Sequence, residues 1–305
     1  MDQGSDRQGV SPTLTEFEYQ MTIRELLQQA IPQLADAGVD TPRLDAELLL
    51  THLLNQTRGW LWAHADDAVP DETVAEFERL LARRLRREPL PYILGEWEFY
   101  GRSFLVTPDV LIPRPETELL VELVLAWARR HDARLIADVG TGSGAIAITL
   151  AAEMPSLRVV AIDLSPAALT VARRNAERLG VSERIEFLPG DLLQPLRDAS
   201  RGPLDAIAAN LPYIAAEEYP QLMPEVRDYE PSQALLAEEC GLALIRRLIQ
   251  ESSGVLKSHG LLALEAGLGQ AEQVAAIFRI SGWSEIHICT DYGGIPRHIS
   301  AESPL

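Results

Sequence analysis

From about residue 115 the chain repeats one unit: a short run of apolar and β-branched residues, a turn rich in Gly, Asp or Asn, then a helical stretch. Strands are expected at Leu135–Val139, Arg158–Ile162, Ile185–Leu188, Asp205–Ala209 and Leu261–Glu265, with two more near Ser284–Thr290 and Arg297–Ala301. Strands joined through helices pair in parallel, because a short hairpin cannot return the chain to the same end of the sheet. The pattern therefore specifies an α/β fold: a doubly wound, mostly parallel, seven-stranded sheet with an antiparallel strand near its end. Ligands of such sheets bind outside the carboxyl ends of the strands, so the residues that close each strand carry the functional information.

The first strand runs into Asp138-Val139-Gly140-Thr141-Gly142-Ser143-Gly144, and a helix follows. Glycines let the backbone turn sharply and let a ligand approach closely. The spacing is G-x-G-x-G, which is neither the dinucleotide fingerprint nor a phosphate loop with its Gly-Lys-Ser/Thr. Asp138 would repel a pyrophosphate; it suits organising the loop, or facing an ammonium group through water. The next strands end in Asp163, in Asp191 followed by Leu192, and in Asn210. Asp163 can accept from two ribose hydroxyls, and Asp191 from an exocyclic adenine amine with Leu192 packing on the ring. Any one such residue is more often a helix N-cap. Four in succession at one sheet edge describe a nucleoside-sized site.

This set resembles the class I S-adenosylmethionine-dependent methyltransferases. The resemblance implies S-adenosyl-L-methionine as cofactor, with Gly140, Thr141, Gly142, Ser143 and Gly144 at its methionine part. It likewise implies Asp163 at the ribose, Asp191 and Leu192 at the adenine, and Asn210 beside the methyl group. Asn210-Leu211-Pro212-Tyr213 is similar to the Asn-Pro-Pro-Tyr element of enzymes that methylate planar nitrogens. Such a nitrogen is a poor nucleophile because its lone pair is delocalised, so the enzyme must hold it in line with the methyl. The side-chain oxygen of Asn210 and the carbonyl of Leu211 are the two acceptors expected for its N–H bonds. Pro212 stiffens the turn, and Tyr213 offers a flat face. Leu211 stands where the family has its first proline; a carbonyl survives that change. The bland alternative is a strand-end turn, since Asn and Pro are common turn formers.

Leu111-Ile112-Pro113-Arg114-Pro115-Glu116-Thr117-Glu118, Glu225-Val226-Arg227-Asp228-Tyr229-Glu230-Pro231, Gly294-Ile295-Pro296-Arg297 and Thr41–Leu49 narrow the resemblance to the HemK/PrmC family. It covers the chain from about residue 22. It implies a peptide-chain-release-factor glutamine N5-methyltransferase acting on the glutamine of a Gly-Gly-Gln loop, with the N-terminal helices gripping the rest of the factor. A sister family methylates a ribosomal protein on glutamine; the Glu225–Pro231 stretch favours the release-factor branch. Glu238-Glu239-Cys240-Gly241 departs from the family, which has Gly-rich and Asp-Gly residues there.

Residues 21–88 read as a helical substrate-recognition domain. Thr22 and Glu25 suit a capping box, Pro32 should kink or restart the first helix, and Pro42 suits the first position of the second. Leu44, Leu48, Leu49 and Leu53 mark one face of that second helix, and Val74, Phe77, Leu81 and Leu85 mark a third helix. It ends in Arg83, Arg84, Arg86 and Arg87, read first as a solvated helix C-terminus and second as a docking patch. Residues 89–112 read as a β-hairpin linker, 113–305 as the cofactor-binding catalytic domain, and 1–20 as a loose tail without an apolar signal core. Two cysteines, Cys240 and Cys289, are expected as buried thiols of a reducing cytoplasm. No histidine falls at ligand spacing, so no metal is expected. The formal net charge is −18, and residues 1–108 hold 10 Arg against 18 Asp plus Glu. That balance argues against a DNA adenine-N6 methyltransferase, which needs a basic face to hold phosphates and flip a base. The other rival is a methyltransferase-fold module that binds without catalysis. A cytoplasmic monomer with no membrane contact and no direct nucleic-acid partner completes the reading.

Overall fold

The computed structural model describes residues 20–197 and 202–304, so the tail expected over residues 1–20 lies outside it except for Gln20. The chain divides into two compact units, Met1–Arg86 and Arg87–Leu305.

The first unit holds four helices: α1 (Ile23–Asp36), α2 (Pro42–Leu54), α3 (Arg58–Ala63) and α4 (Asp71–Leu85). The capping box forms: the Thr22 amide and hydroxyl both donate to Glu25, and the Glu25 amide donates back to the Thr22 hydroxyl. Pro32 does not break α1, which runs through it as one element. Ile23, Leu26, Ala30 and Leu34 are buried along its length, and that packing offsets the one missing amide. The face of α2 differs from expectation: Leu49 and Leu50 are fully buried, while Leu44 and Leu48 are only half-buried. Asp45 and Glu47 are buried beside them. Arg84 Nε lies 2.7 Å from Asp45 Oδ2, and Arg58 Nη2 lies 2.6 Å from Glu47 Oε2. Arg84 is therefore an interior counter-ion rather than part of a solvated face, as a buried carboxylate requires.

The second unit opens with α5 (Leu90–Leu94) and the antiparallel hairpin β1 (Glu96–Phe99) and β2 (Arg102–Leu105). The main elements then follow as α6 (Thr117–Arg130), β3 (Leu135–Val139), α7 (Ala145–Glu153), β4 (Arg158–Asp163), α8 (Pro166–Arg178), β5 (Ile185–Pro189), α9 (Gln194–Arg197) and β6 (Leu204–Asn210). After these come α10 (Pro224–Arg227), α11 (Glu238–Gly241), α12 (Ala243–Ser252), β7 (Leu256–Glu265), α13 (Ala271–Ile280), β8 (Ser284–Thr290) and β9 (Pro296–Glu302). The seven strands lie in the order β5-β4-β3-β6-β7-β9-β8. Strands β3 to β7 run parallel to one another, and β9 runs antiparallel between β7 and β8. Winding goes outward from β3 to β5, then resumes at β6 on the other side of β3, which places the crevice of the reversal at β3 and β6.

Alternation along β3 feeds both faces: Ala137 and Val139 join the apolar layer that includes Ile245 and Phe278, while Ile136 joins the layer that includes Leu120 and Ile148. Phe99 and Phe104 of the hairpin belong to that second layer. Asn175, fully buried on α8, accepts from the Leu105 amide at 2.7 Å and donates to the carbonyls of Leu105 and Ser143. The hairpin is thereby fixed to the glycine loop. Both cysteines are exposed, against expectation. Cys289 lies on the edge strand β8, where Ile286 and Ile288 pack against the core and the alternate positions face out. Cys240 sits on a left-handed backbone turn, φ 54°, that projects its side chain. Among the described residues no helix is long and apolar enough to cross a membrane.

Candidate functional site

A cavity of about 430 Å³ opens at the carboxyl ends of β3, β4 and β6. Gly140, Gly142, Asp163, Asp191, Leu192, Asn210, Leu211 and Pro212 all line it. The structure thus brings together eight of the residues singled out by sequence. Thr141, Ser143, Gly144 and Tyr213 do not line it.

Gly140 has φ 77°, and a side chain there would meet Leu211 Cδ2 at 3.0 Å. The first glycine is thus what lets the loop pass beside the strand-end turn at Asn210–Leu211. Thr141 is spent on the loop itself: its hydroxyl donates to Asp138 Oδ2 at 2.6 Å, and the Ala147 amide donates to the same oxygen at 3.0 Å. Asp138 is fully buried and its Oδ1 has no partner among the described residues. Burial pushes its carboxyl up to about 7, against the two hydrogen bonds that favour the charge. A carboxyl raised in the folded state binds its proton more tightly there than when unfolded. Its contribution to stability is complete below its ordinary pKa and is lost as pH rises through about 7. Asp138→Asn should therefore show a shallower fall in thermal midpoint than the parent between about pH 4 and about pH 8. Calorimetry across that range checks it; superimposable slopes would refute it.

Asp163 is held from both sides: Oδ2 accepts from the Gly142 amide and Oδ1 from the Ser165 amide, each at 2.8 Å. Burial raises its pKa, opposed by those amides. Asp163 itself lines the cavity. Asp191 accepts from Arg247 Nη2 at 2.8 Å at the rim, both groups being partly exposed. Leu192 turns inward on a left-handed backbone, φ 49°, and is buried.

Asn210 ends β6 opposite Glu265 at the end of β7. Its Nδ2 donates to Thr117 Oγ1 at 3.0 Å, and that hydroxyl donates to Glu265 Oε2 at 2.7 Å. Tyr213 serves as a strut. Its carbonyl accepts from Gln270 Nε2 at 2.9 Å, the same nitrogen reaches the Cys240 carbonyl at 3.1 Å, and Gln270 Oε1 takes the Gly267 amide at 2.8 Å. One buried amide so ties three loops together. Burial, then the charge of Glu265, pushes the Tyr213 phenol up to about 12.

Sequence reasoning missed two walls of the cavity, Asp109–Leu111 and Pro231–Ala234. Buried ion pairs brace them. Arg114 Nη2 lies 2.6 Å from Glu230 Oε1, whose partner oxygen accepts from the Ile112 amide at 3.4 Å. Arg87 holds both oxygens of Glu225 at 2.6 Å. The Tyr92 hydroxyl donates to the Val110 carbonyl at 2.6 Å. The signal was in the two quoted stretches containing Arg114 and Glu230, which sequence alone could not pair.

Two family descriptions match the chain: PrmC N-terminal domain over residues 25–95 and methyltransferase domain over residues 136–229. A release factor glutamine methyltransferase of Nitratidesulfovibrio vulgaris is 42% identical over 286 residues, covering 93% of this chain and 96% of that protein. One of Bordetella pertussis is 44% identical over 264 residues, covering 87% and 95%. Among solved structures, a methyltransferase from Pyrococcus furiosus aligns with TM-score 0.50 and 16% identity over 68% of this chain and 91% of that one, a likeness of fold.

Proposed function

The chain belongs to the release factor glutamine methyltransferases, and from that premise we propose that it methylates the side-chain amide nitrogen, N5, of the glutamine in a Gly-Gly-Gln loop of peptide chain release factors. The single observation that carries the reading is the disposition of Asn210. Its nitrogen is engaged by Thr117, which leaves its oxygen for the cavity that it lines.

The methyl donor is S-adenosylmethionine, which supplies an electrophilic methyl on a cationic sulfur. The residues present fit it. Asp163 has acceptor capacity for two ribose hydroxyls, Asp191 lies at the far rim for an amine, and Ile162, Leu192, Leu236 and Leu244 give apolar walls between. The partnerless oxygen of Asp138 leaves one acceptor behind the glycine loop. Asn210 Oδ1 and the Leu211 carbonyl accept the two N–H bonds of the substrate amide, which aims the nitrogen lone pair along the line of transfer. Pro212 fixes the turn that presents that carbonyl. The amide nitrogen so held would take the methyl through its lone pair and give up its proton to water. Thr141, Ser143 and Gly144 act by shaping the loop, and Tyr213 by holding Asn210–Pro212 in place.

A protein acceptor agrees with the surplus of acid over arginine in residues 1–108, and a release-factor substrate supports a cytoplasmic location. The test is direct. Release factor and DNA are each incubated with the enzyme and labelled donor, and the Gly-Gly-Gln peptide is read by mass spectrometry. A one-methylene increment on glutamine supports the reading; label in DNA alone refutes it. Leu211→Pro should keep activity within about three-fold, because the carbonyl is unchanged and the preceding residue is already extended. A ten-fold or greater loss in kcat (roughly the effect of a misplaced acceptor) would show that the leucine side chain, not its carbonyl, matters.

A further inference from the structure

Resting on the activity just argued, we propose that Thr117 and Glu265 are positioning residues that set the amide of Asn210 the right way round for methyl transfer. A primary amide side chain is nearly symmetric in shape, so packing cannot tell its oxygen from its nitrogen; only hydrogen-bond partners can. The difference is decisive here. With the oxygen toward the substrate, Asn210 accepts an N–H. Turned over, it would present two donors to a group that is itself a donor.

The direction of the relay is forced. Thr117 has one hydroxyl proton, and it goes to Glu265 Oε2 at 2.7 Å. A carboxylate only accepts, so that proton cannot be returned. Thr117 Oγ1 therefore offers Asn210 nothing but a lone pair, and only Nδ2 can meet it, at 3.0 Å. Oδ1 is left for the cavity. Thr117 and Glu265 are both nearly fully buried, so water does not compete for these bonds. His298, also fully buried, places Nε2 3.8 Å from the same Oε2. The three members come from distant parts of the chain: the start of α6, the end of β6 and the end of β7. The register that pairs Asn210 with Glu265 keeps them together.

Thr117→Val keeps the shape and removes the hydroxyl; Thr117→Ser keeps the hydroxyl and removes the methyl. Steady-state methylation of purified release factor should give, for Thr117→Val, a kcat lower by about ten- to a hundred-fold. Its KM for release factor and its calorimetric affinity for S-adenosylmethionine should stay within about two-fold. Thr117→Ser should recover kcat to within about three-fold of the parent. Glu265→Gln, which can donate to Thr117 and so reverse the relay, should also lower kcat with cofactor affinity retained, and it serves where Thr117→Val does not fold. The proposal is overturned by a Thr117→Val or Glu265→Gln enzyme with the parent kcat, by a loss that Thr117→Ser shares in full, or by a loss matched by weaker cofactor binding. An inactive parent in the same assay would instead overturn the activity on which the proposal rests.

Discussion

Asn210→Ala is expected to leave S-adenosylmethionine binding nearly intact and to lower kcat on release factor by about a thousand-fold, roughly 4 kcal/mol of transition-state stabilisation. In the proposed arrangement the side chain contributes one of the two acceptors for the substrate amide. With one gone, the nitrogen is free to rotate about the remaining bond and its lone pair leaves the line of transfer. One side chain is a small part of what a protein-sized substrate can contact, so KM should move little, and a kcat effect without a KM effect is the mark of an interaction made chiefly in the transition state. Asn210→Asp should not rescue: it still accepts, but its second oxygen would face the Thr117 hydroxyl oxygen, where a donor is required. Single-turnover kinetics with saturating cofactor checks both variants. Activity of Asn210→Ala within ten-fold of the parent (~1.4 kcal/mol) would remove the residue from the chemistry.

Gly241→Ala should do nearly as much damage from outside the cavity. Gly241 has φ 85°, and an added Cβ would fall 2.0 Å from the Tyr213 carbonyl oxygen and 2.5 Å from Gln270 Nε2. Neither is a loose side-chain tip. One is backbone, and the other is the buried amide that ties three loops together. The methyl cannot be accommodated without breaking the bond that holds Tyr213, and with it the Asn210–Pro212 turn. A loss of stability of about 3 kcal/mol and a fall in kcat of about a hundred-fold are expected. Gly269→Ala is the control. It has a similar φ of 78°, but an added Cβ meets nothing within 4 Å, so it should lose only about 1 kcal/mol to backbone strain. Equal effects for the two, in thermal midpoint and in kcat, would show that the clash at Tyr213 is unimportant.

The central strands β3, β4, β6 and β7 were legible because each holds a dense run of Val, Ile, Leu and Ala cut off by Gly, Asp, Asn or Glu, as strands covered on both faces require. The strand ends were legible because a polar residue that closes a buried strand is conspicuous. What could not be read was pairing at long range. Thr117 and Glu265 carry no local sign that they meet, and neither do Arg114 and Glu230, or Asp45 and Arg84. Each pair answers a buried charge or hydroxyl whose need for a partner appears only when the fold removes it from water. The cysteines mislead for a related reason. Their apolar character suggests burial, but Cys289 faces out from an edge strand and Cys240 occupies a turn. The ring of Tyr213 is conspicuous in the sequence, but the hydrogen bond that its carbonyl accepts from Gln270 is not.

The cavity is built from residues between Asp109 and Leu244, while Glu265 and the strand that shields it come afterwards. Chains are made from the amino terminus onward, and their parts organise as they emerge. A polypeptide still attached to the ribosome will therefore have supplied every group that holds the donor before it has supplied the carboxylate that orients the acceptor. The residues that line the cavity are thus complete in the sequence while the amide at its mouth still lacks the carboxylate behind it.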